Sequence, residues 1–293
     1  MRSFLITAAL LALALGAGGA VRAENGTVWL DRVNTFRASA GLPPVIEERA
    51  LSDAVREHAR YMVRHDRIEH GQDRRRRGAT ATGATAAAVS NLAGSTRDDE
   101  PEWWAVDLWM QAPFHALGIL DPALTHVGFG IHRARGGFIQ TAAGLDVLRG
   151  RAARTEVTYP ILWPGDGVSV PLAAHTDEDP SPLTSCEGYR APSGLPLIVQ
   201  TGSGSKVPEV LGSLVLDETG PLEHCWFTET TYRNPSASEQ ALGRSVLASR
   251  DAIIIVPRRP LRNGSTYRVV LELAREQRID WSFRVAGALH TVR

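Results

Sequence analysis

Cysteine is nearly absent: among 293 residues there are two, Cys186 and Cys225. That excludes a disulfide-dense scaffold and a Cys-rich zinc module. An excess of charge of either sign is missing as well, because 32 Lys+Arg balance 32 Asp+Glu. A nucleic-acid binder carries a basic excess and an acidic disordered chain the opposite, so neither class fits. Lysine is reduced to Lys206, which carries no chemical message. The one long apolar run, residues 4–15 behind Arg2, is too short to span a bilayer. Val21-Arg22-Ala23 then sets small residues at signal-peptidase positions, so residues 1–23 read as a signal peptide cleaved before Glu24. With no later transmembrane stretch, the expected location is secreted, extracellular or periplasmic. What is present is ordinary folded protein, 43% hydrophobic and 22% charged, and long enough for two modest domains.

Up to about residue 150 the apolar pattern is mostly helical. Leu30, Val33 and Phe36 share one face of a helix expected to stop at Gly41. Leu51, Ala54, Val55, His58 and Met62 form the stripe of a second. Trp103, Val106, Trp109 and Met110 form a third, with acidic residues favourably near its start and Pro113 expected to end it. Phe114 and His115 then fall in a short turn. Val127, Phe129 and Ile131 alternate with Gly128, Gly130 and His132, and Gly136-Gly137 turns the chain back, which predicts a β-hairpin. Residues 71–96 read as irregular. They open with four arginines, 74–77, a sequence suited to an acidic polymer. The plainer reading is a solvated loop, since residues 24–150 hold 15 basic against 16 acidic side chains.

From about residue 156 the helical signals give way to short Val/Ile/Thr/Leu runs separated by Pro/Gly/Ser clusters. Residues 195–201, 214–216, 226–231, 253–256, 267–273 and 281–285 read as strands of a β-sandwich. The turn at 260–266 feeds Tyr267, placed to bond back to the turn backbone. Cys186 and Cys225 fall in this half and are expected to pair after export; two buried thiols are the alternative.

Asn34-Thr35-Phe36-Arg37, Ala40-Gly41-Leu42-Pro43-Pro44, Leu51, His58-Ala59, His70, Ser90-Asn91-Leu92-Ala93, the stretch from Trp109 to His115, and Val127-Gly128-Phe129-Gly130 follow one another in a familiar order. Together they resemble the CAP superfamily (cysteine-rich secretory, antigen and pathogenesis-related proteins) in its bacterial secreted branch, over residues 29–146. The rear region resembles the Ig-like modules that follow such domains. The implied fold is α+β: a CAP-like α-β-α sandwich over residues 24–150, then an all-β Ig-like sandwich over 156–293.

The resemblance also implies a cleft lined by two histidines and two acidic residues, which in some members hold a divalent metal. Carried over, the histidines fall on His70 and His115, while the acidic positions are Ser90 and Ala112 here. Two imidazoles without those carboxylates make an open, weak zinc site. No metal is required; weakly bound zinc on His70 and His115 is the cofactor expectation. Ser90 lacks the Gly-x-Ser-x-Gly elbow of a hydrolase nucleophile. The residues therefore favour a non-enzymatic binder whose cleft of His70, Ser90, Asn91 and His115 takes a small lipid-like ligand or an envelope component. The rival is a metal- or serine-dependent hydrolase acting on envelope polymer or peptide. Of the remaining candidates, His58 reads as a packed, hydrogen-bonded core residue, and Trp103 and Trp109 as core rather than a binding platform.

Overall fold

The computed structural model describes residues 28–153 and 156–287; the expected signal peptide lies outside them. The first part is built from α1 (Val28–Ala38), β1 (Ile46–Glu47), α2 (Arg49–His65), α3 (Ala81–Ala87), β2 (Ser90–Ser95), α4 (Trp104–Met110), α5 (Pro113–Ile119), β3 (His126–Arg133) and β4 (Thr141–Asp146). Its strands make one sheet in the order β1-β3-β4-β2, with β1 parallel to β3 and the rest antiparallel. Period-two alternation gives the sheet two different faces. Leu92 and Ala142 pack with Ala59 and Met62 of α2, while Phe129, Ala143 and Leu145 join the core of α1, α4 and α5. Helices thus cover both faces.

Two local expectations are corrected here. Pro113 opens α5 rather than merely closing α4: a proline at the first helical position loses no intrahelical bond. Phe114 and His115 are therefore helical. The supposedly irregular stretch contains α3 and β2; Thr80 caps α3 by accepting the Gly83 N–H at 3.0 Å.

Residues 156–287 hold β5 (Ile161–Trp163), β6 (Ser169–Val170), β7 (Ala174–His175), β8 (Ser193–Gly194), β9 (Leu197–Gln200), β10 (Val210–Asp217), β11 (Gly220–Pro221), β12 (His224–Phe227), α6 (Ala237–Ala248), β13 (Ala252–Pro257), β14 (Thr266–Leu273) and β15 (Gln277–Val285). Sheets of order β11-β10-β14-β15-β6 and β12-β13-β9-β5 share one core, and β7 pairs with β8. Helix α6 corrects the all-β expectation. Its start was legible: Ser236 accepts the Glu239 N–H, a Ser-x-x-Glu start. Tyr267 does bond back to its turn, its hydroxyl accepting the Arg262 N–H at 2.6 Å.

Cys186 and Cys225 form a disulfide across 39 positions. Closing that loop constrains the unfolded chain, so replacing both by serine should cost about 3–4 kcal/mol in the chain-entropy model. Urea melts of oxidised wild type and the double variant measure it; equal midpoints would show that the bridge adds nothing.

Residues 147–153, where the helical pattern gives way to short strands, are tied down. The Gly150 carbonyl accepts from the N–H groups of Thr125 and His126, and Ala152 donates to the Ala123 carbonyl at 2.7 Å. Buried Asp121 pairs with Arg151 and, from the second half, Arg250, each at 2.7 Å. Phe36 meets Trp163 edge-to-face, ring centres 5.3 Å apart, and Phe114 packs on Phe227 and Tyr232. The apolar cluster continues from one half into the other.

Candidate functional site

The four residues singled out in sequence sit around the junction of α3, β2 and α5. His70 hydrogen-bonds through Nδ1 to the Ala87 carbonyl at the end of α3, 2.9 Å. A carbonyl can only accept, so Nδ1 carries the proton and Nε2 is the free acceptor of the neutral ring. Ser90 opens β2, paired in register with Asp146. Its hydroxyl is buried and has no hydrogen-bond partner among the described residues. Asn91, the next residue, donates from Nδ2 to the His115 carbonyl at 3.0 Å and so ties β2 to α5.

His115 has a partner that the sequence reading missed. The Glu178 carboxylate accepts from both the His115 backbone N–H, at 2.8 Å, and the ring Nδ1, at 2.6 Å. The Glu178 side chain is fully buried, and its second oxygen has no partner among the described residues. From the same segment, buried His175 bonds to the Gln111 carbonyl at the end of α4, 3.0 Å. The chain after β7 thus lies against the corner between α4 and α5. Sequence analysis found no carboxylate for His115 because this one comes from 63 positions away, in the other half. Asp177-Glu178-Asp179-Pro180 reads in isolation as an acidic turn, with no periodic signal pointing to α5.

No hydrogen bond or ion pair joins His70, Ser90 and His115 to one another among the described residues. Each imidazole is oriented, with Nδ1 engaged and Nε2 left as acceptor, as a carboxylate or carbonyl orients a metal-ligating histidine. The donor set nevertheless falls short of the three protein ligands of a catalytic zinc site. Among the described residues no three His, Cys, Asp or Glu side chains come together to hold a metal. Nor does the Ser90 hydroxyl hydrogen-bond to a base among the described residues, as a serine nucleophile needs.

His58 lies beside this region and is fully buried. Its Nε2 donates to the Glu69 carbonyl at 2.9 Å and its Nδ1 accepts from Gln72 at 3.1 Å. This is the packed, hydrogen-bonded histidine the helix stripe predicts. Burial pushes its pKa down to about 4; the bond to Glu69 opposes the shift, and the charge of His70 adds to it. Because the folded value lies below the ordinary 6.5, the unfolded chain takes the proton first. Stability is fully present above pH 6.5 and falls as the pH drops through 6.5 toward 4. The loss should be on the order of 3 kcal/mol. Comparing urea midpoints across this range for wild type and His58→Gln checks it; parallel profiles would assign the acid sensitivity elsewhere.

Arg37, from the opening motif, is structural. Its buried guanidinium donates to the carbonyls of Pro43, Ile119, Asp121 and Leu124, bracing α1 against the loop after α5. Burial lowers its pKa to about 10, with Asp121 opposing.

Helices on both faces of a four-stranded sheet, with the two histidines placed as described, are the setting for the comparison with known proteins. Residues 30–142 match the family model of CAP, the cysteine-rich secretory protein family. The match covers 113 of the chain's 293 residues, so the first part of this chain is similar to that family. No curated protein matches the chain. Among the described residues no helix is long and apolar enough to cross a membrane.

Proposed function

We propose that the chain is a secreted CAP-type protein, extracellular or periplasmic, that binds a small lipid-like ligand or an envelope component without chemical turnover. His70, Ser90, Asn91 and His115 are its contact residues. The CAP-like unit spans residues 24–150 after removal of residues 1–23, and the Ig-like unit, 156–293, supplies Glu178 to it. The observation that carries this reading is the Glu178 carboxylate on His115, 2.6 Å from Nδ1. It holds the ring in one orientation, while the hydroxyl of Ser90 has no hydrogen-bond partner among the described residues. A fixed donor-acceptor pattern beside a buried polar atom suits recognition of a ligand.

The hydrolase reading draws on the same pair, since a carboxylate behind an imidazole is also how an enzyme orients a base or a zinc ligand. Calorimetric titration of zinc, together with a broad esterase, peptidase and glycosidase screen, separates the two. Under the binding reading zinc affinity is weak at neutral pH, is removed by His70→Ala with His115→Ala, and rises in Ser90→Glu. Turnover that disappears on changing Ser90, His70 or His115 would establish the enzyme instead.

A further inference from the structure

A groove of about 640 Å³ lies between the C-terminal half of α2 and the β3–β4 hairpin, lined by none of the four residues above. Arg60 and Arg64 stand one helical turn apart on one wall, with His132 and Arg135 on the other. The acidic groups nearby are already engaged. Asp98 is paired with Arg135, and Asp66, which itself lines the groove, has its carboxylate turned to accept from the N–H groups of Phe138 and Ile139. Glu57, one turn before Arg60, accepts from the hydroxyls of Thr80 and Thr82. Among the described residues Arg60 has no hydrogen bond or ion pair, and Arg64 has only a long bond, 3.5 Å, to the Arg77 carbonyl. Both guanidiniums bear on His132, whose pKa is lowered by burial first and by these two charges next.

The same Arg64 leads to the four-arginine run. Arg64 and His65 both reach the Arg77 carbonyl, so the loop 74–77 lies directly beside the groove. Within that loop Arg74, Arg75 and Arg77 are exposed, and among the described residues only Arg75 has an ion-pair partner, Asp73. The loop that carries the exposed Arg74 and Arg77 therefore adjoins the groove that carries Arg60 and Arg64, on a chain whose formal net charge is zero.

We propose that this face binds a linear phosphate-bearing polyanion, one phosphate seated between Arg60 and Arg64 in the groove and its successors crossing the loop 74–77. The guanidinium fork matches phosphate oxygens two at a time, which lysine cannot do. A single free phosphate gains little here, since exposed ion pairs are individually weak. Contacts repeated along one chain reinforce each other through effective concentration.

The test titrates long-chain polyphosphate and, separately, inorganic phosphate into the full chain at low and physiological salt. Variants are Arg60→Gln with Arg64→Gln, glutamine at all four positions 74–77, and Arg233→Gln as an exposed control elsewhere. Circular dichroism melts check that each is folded. Polyphosphate should bind more tightly at low salt, and each multiple variant should weaken it by about tenfold or more, the loss of charge-assisted contacts. The control should leave it unchanged. Wild-type affinity in either multiple variant, equal weakening by the control, or inorganic phosphate bound as tightly as the polymer would each overturn the proposal.

Discussion

Gly130→Val should leave little native protein, a loss of about 3 kcal/mol or more. Gly130 sits on β3 where the strand passes directly under α2, and any Cβ built there runs into the Arg56 backbone and the Val55 carbonyl carbon, 2.6 Å away. The obstacle is helix main chain, which cannot rotate aside as a side chain does. Gly128 is the same case one pleat earlier, where a Cβ would lie 2.5 Å from the Ser52 nitrogen. Close approach also lets Ser52 accept the Phe129 N–H at 3.0 Å. Relief would require lifting α2 off the sheet, breaking that bond and the packing of Val55, Ala59 and Met62. Gly71→Ala is the control: nothing lies within 4 Å of its Cβ, and its effect should stay within about 0.5 kcal/mol. Urea unfolding of the three proteins is the measurement. A Gly130→Val chain as stable as wild type would mean that α2 does not rest on β3 as described.

Trp163→Ala should destabilise the whole chain by about 3–5 kcal/mol while keeping a single melting transition. Trp163 is fully buried on β5, yet its edge-to-face partner is Phe36 of α1. Removing the indole opens a cavity in the cluster common to both halves, and neither half can close it alone. The Gly165 N–H bond to the Ser39 carbonyl at 3.0 Å and the Gln200 bond to the Leu120 carbonyl at 2.9 Å cross the same boundary. Scanning calorimetry reads both parts of this expectation. Two separated transitions, in wild type or variant, would show that the halves unfold independently despite these contacts. Limited proteolysis is the companion experiment, with the tethered segment 147–153 expected to resist cleavage in the native state.

Pattern-based reading succeeded where a single element carries its own information. The stripe of Leu51, Ala54, Val55, His58 and Met62 is buried residue for residue on α2. The alternation of Val127 to His132 is the β3 strand, and Tyr267 bonds to its own turn. It failed where the signal was faint or the unit short. The Ala/Thr/Gly segment 79–88 has no apolar stripe, so only the Thr80 cap betrays α3, and α6 was obscured by the β-rich pattern around it.

The α+β character, the pairing of the two cysteines and the ordered motifs that resemble the CAP family are legible in the chain alone, because they depend on residues near in sequence or few in number. What those motifs contact is set by long-range packing. Glu178 reaches His115, Trp163 packs on Phe36, Arg250 pairs with Asp121, and the arginine run comes to lie beside Arg64. Hydrophobic periodicity records which side of an element faces inward. It holds nothing about which distant segment will be waiting there, since that choice is made by the packing of whole layers.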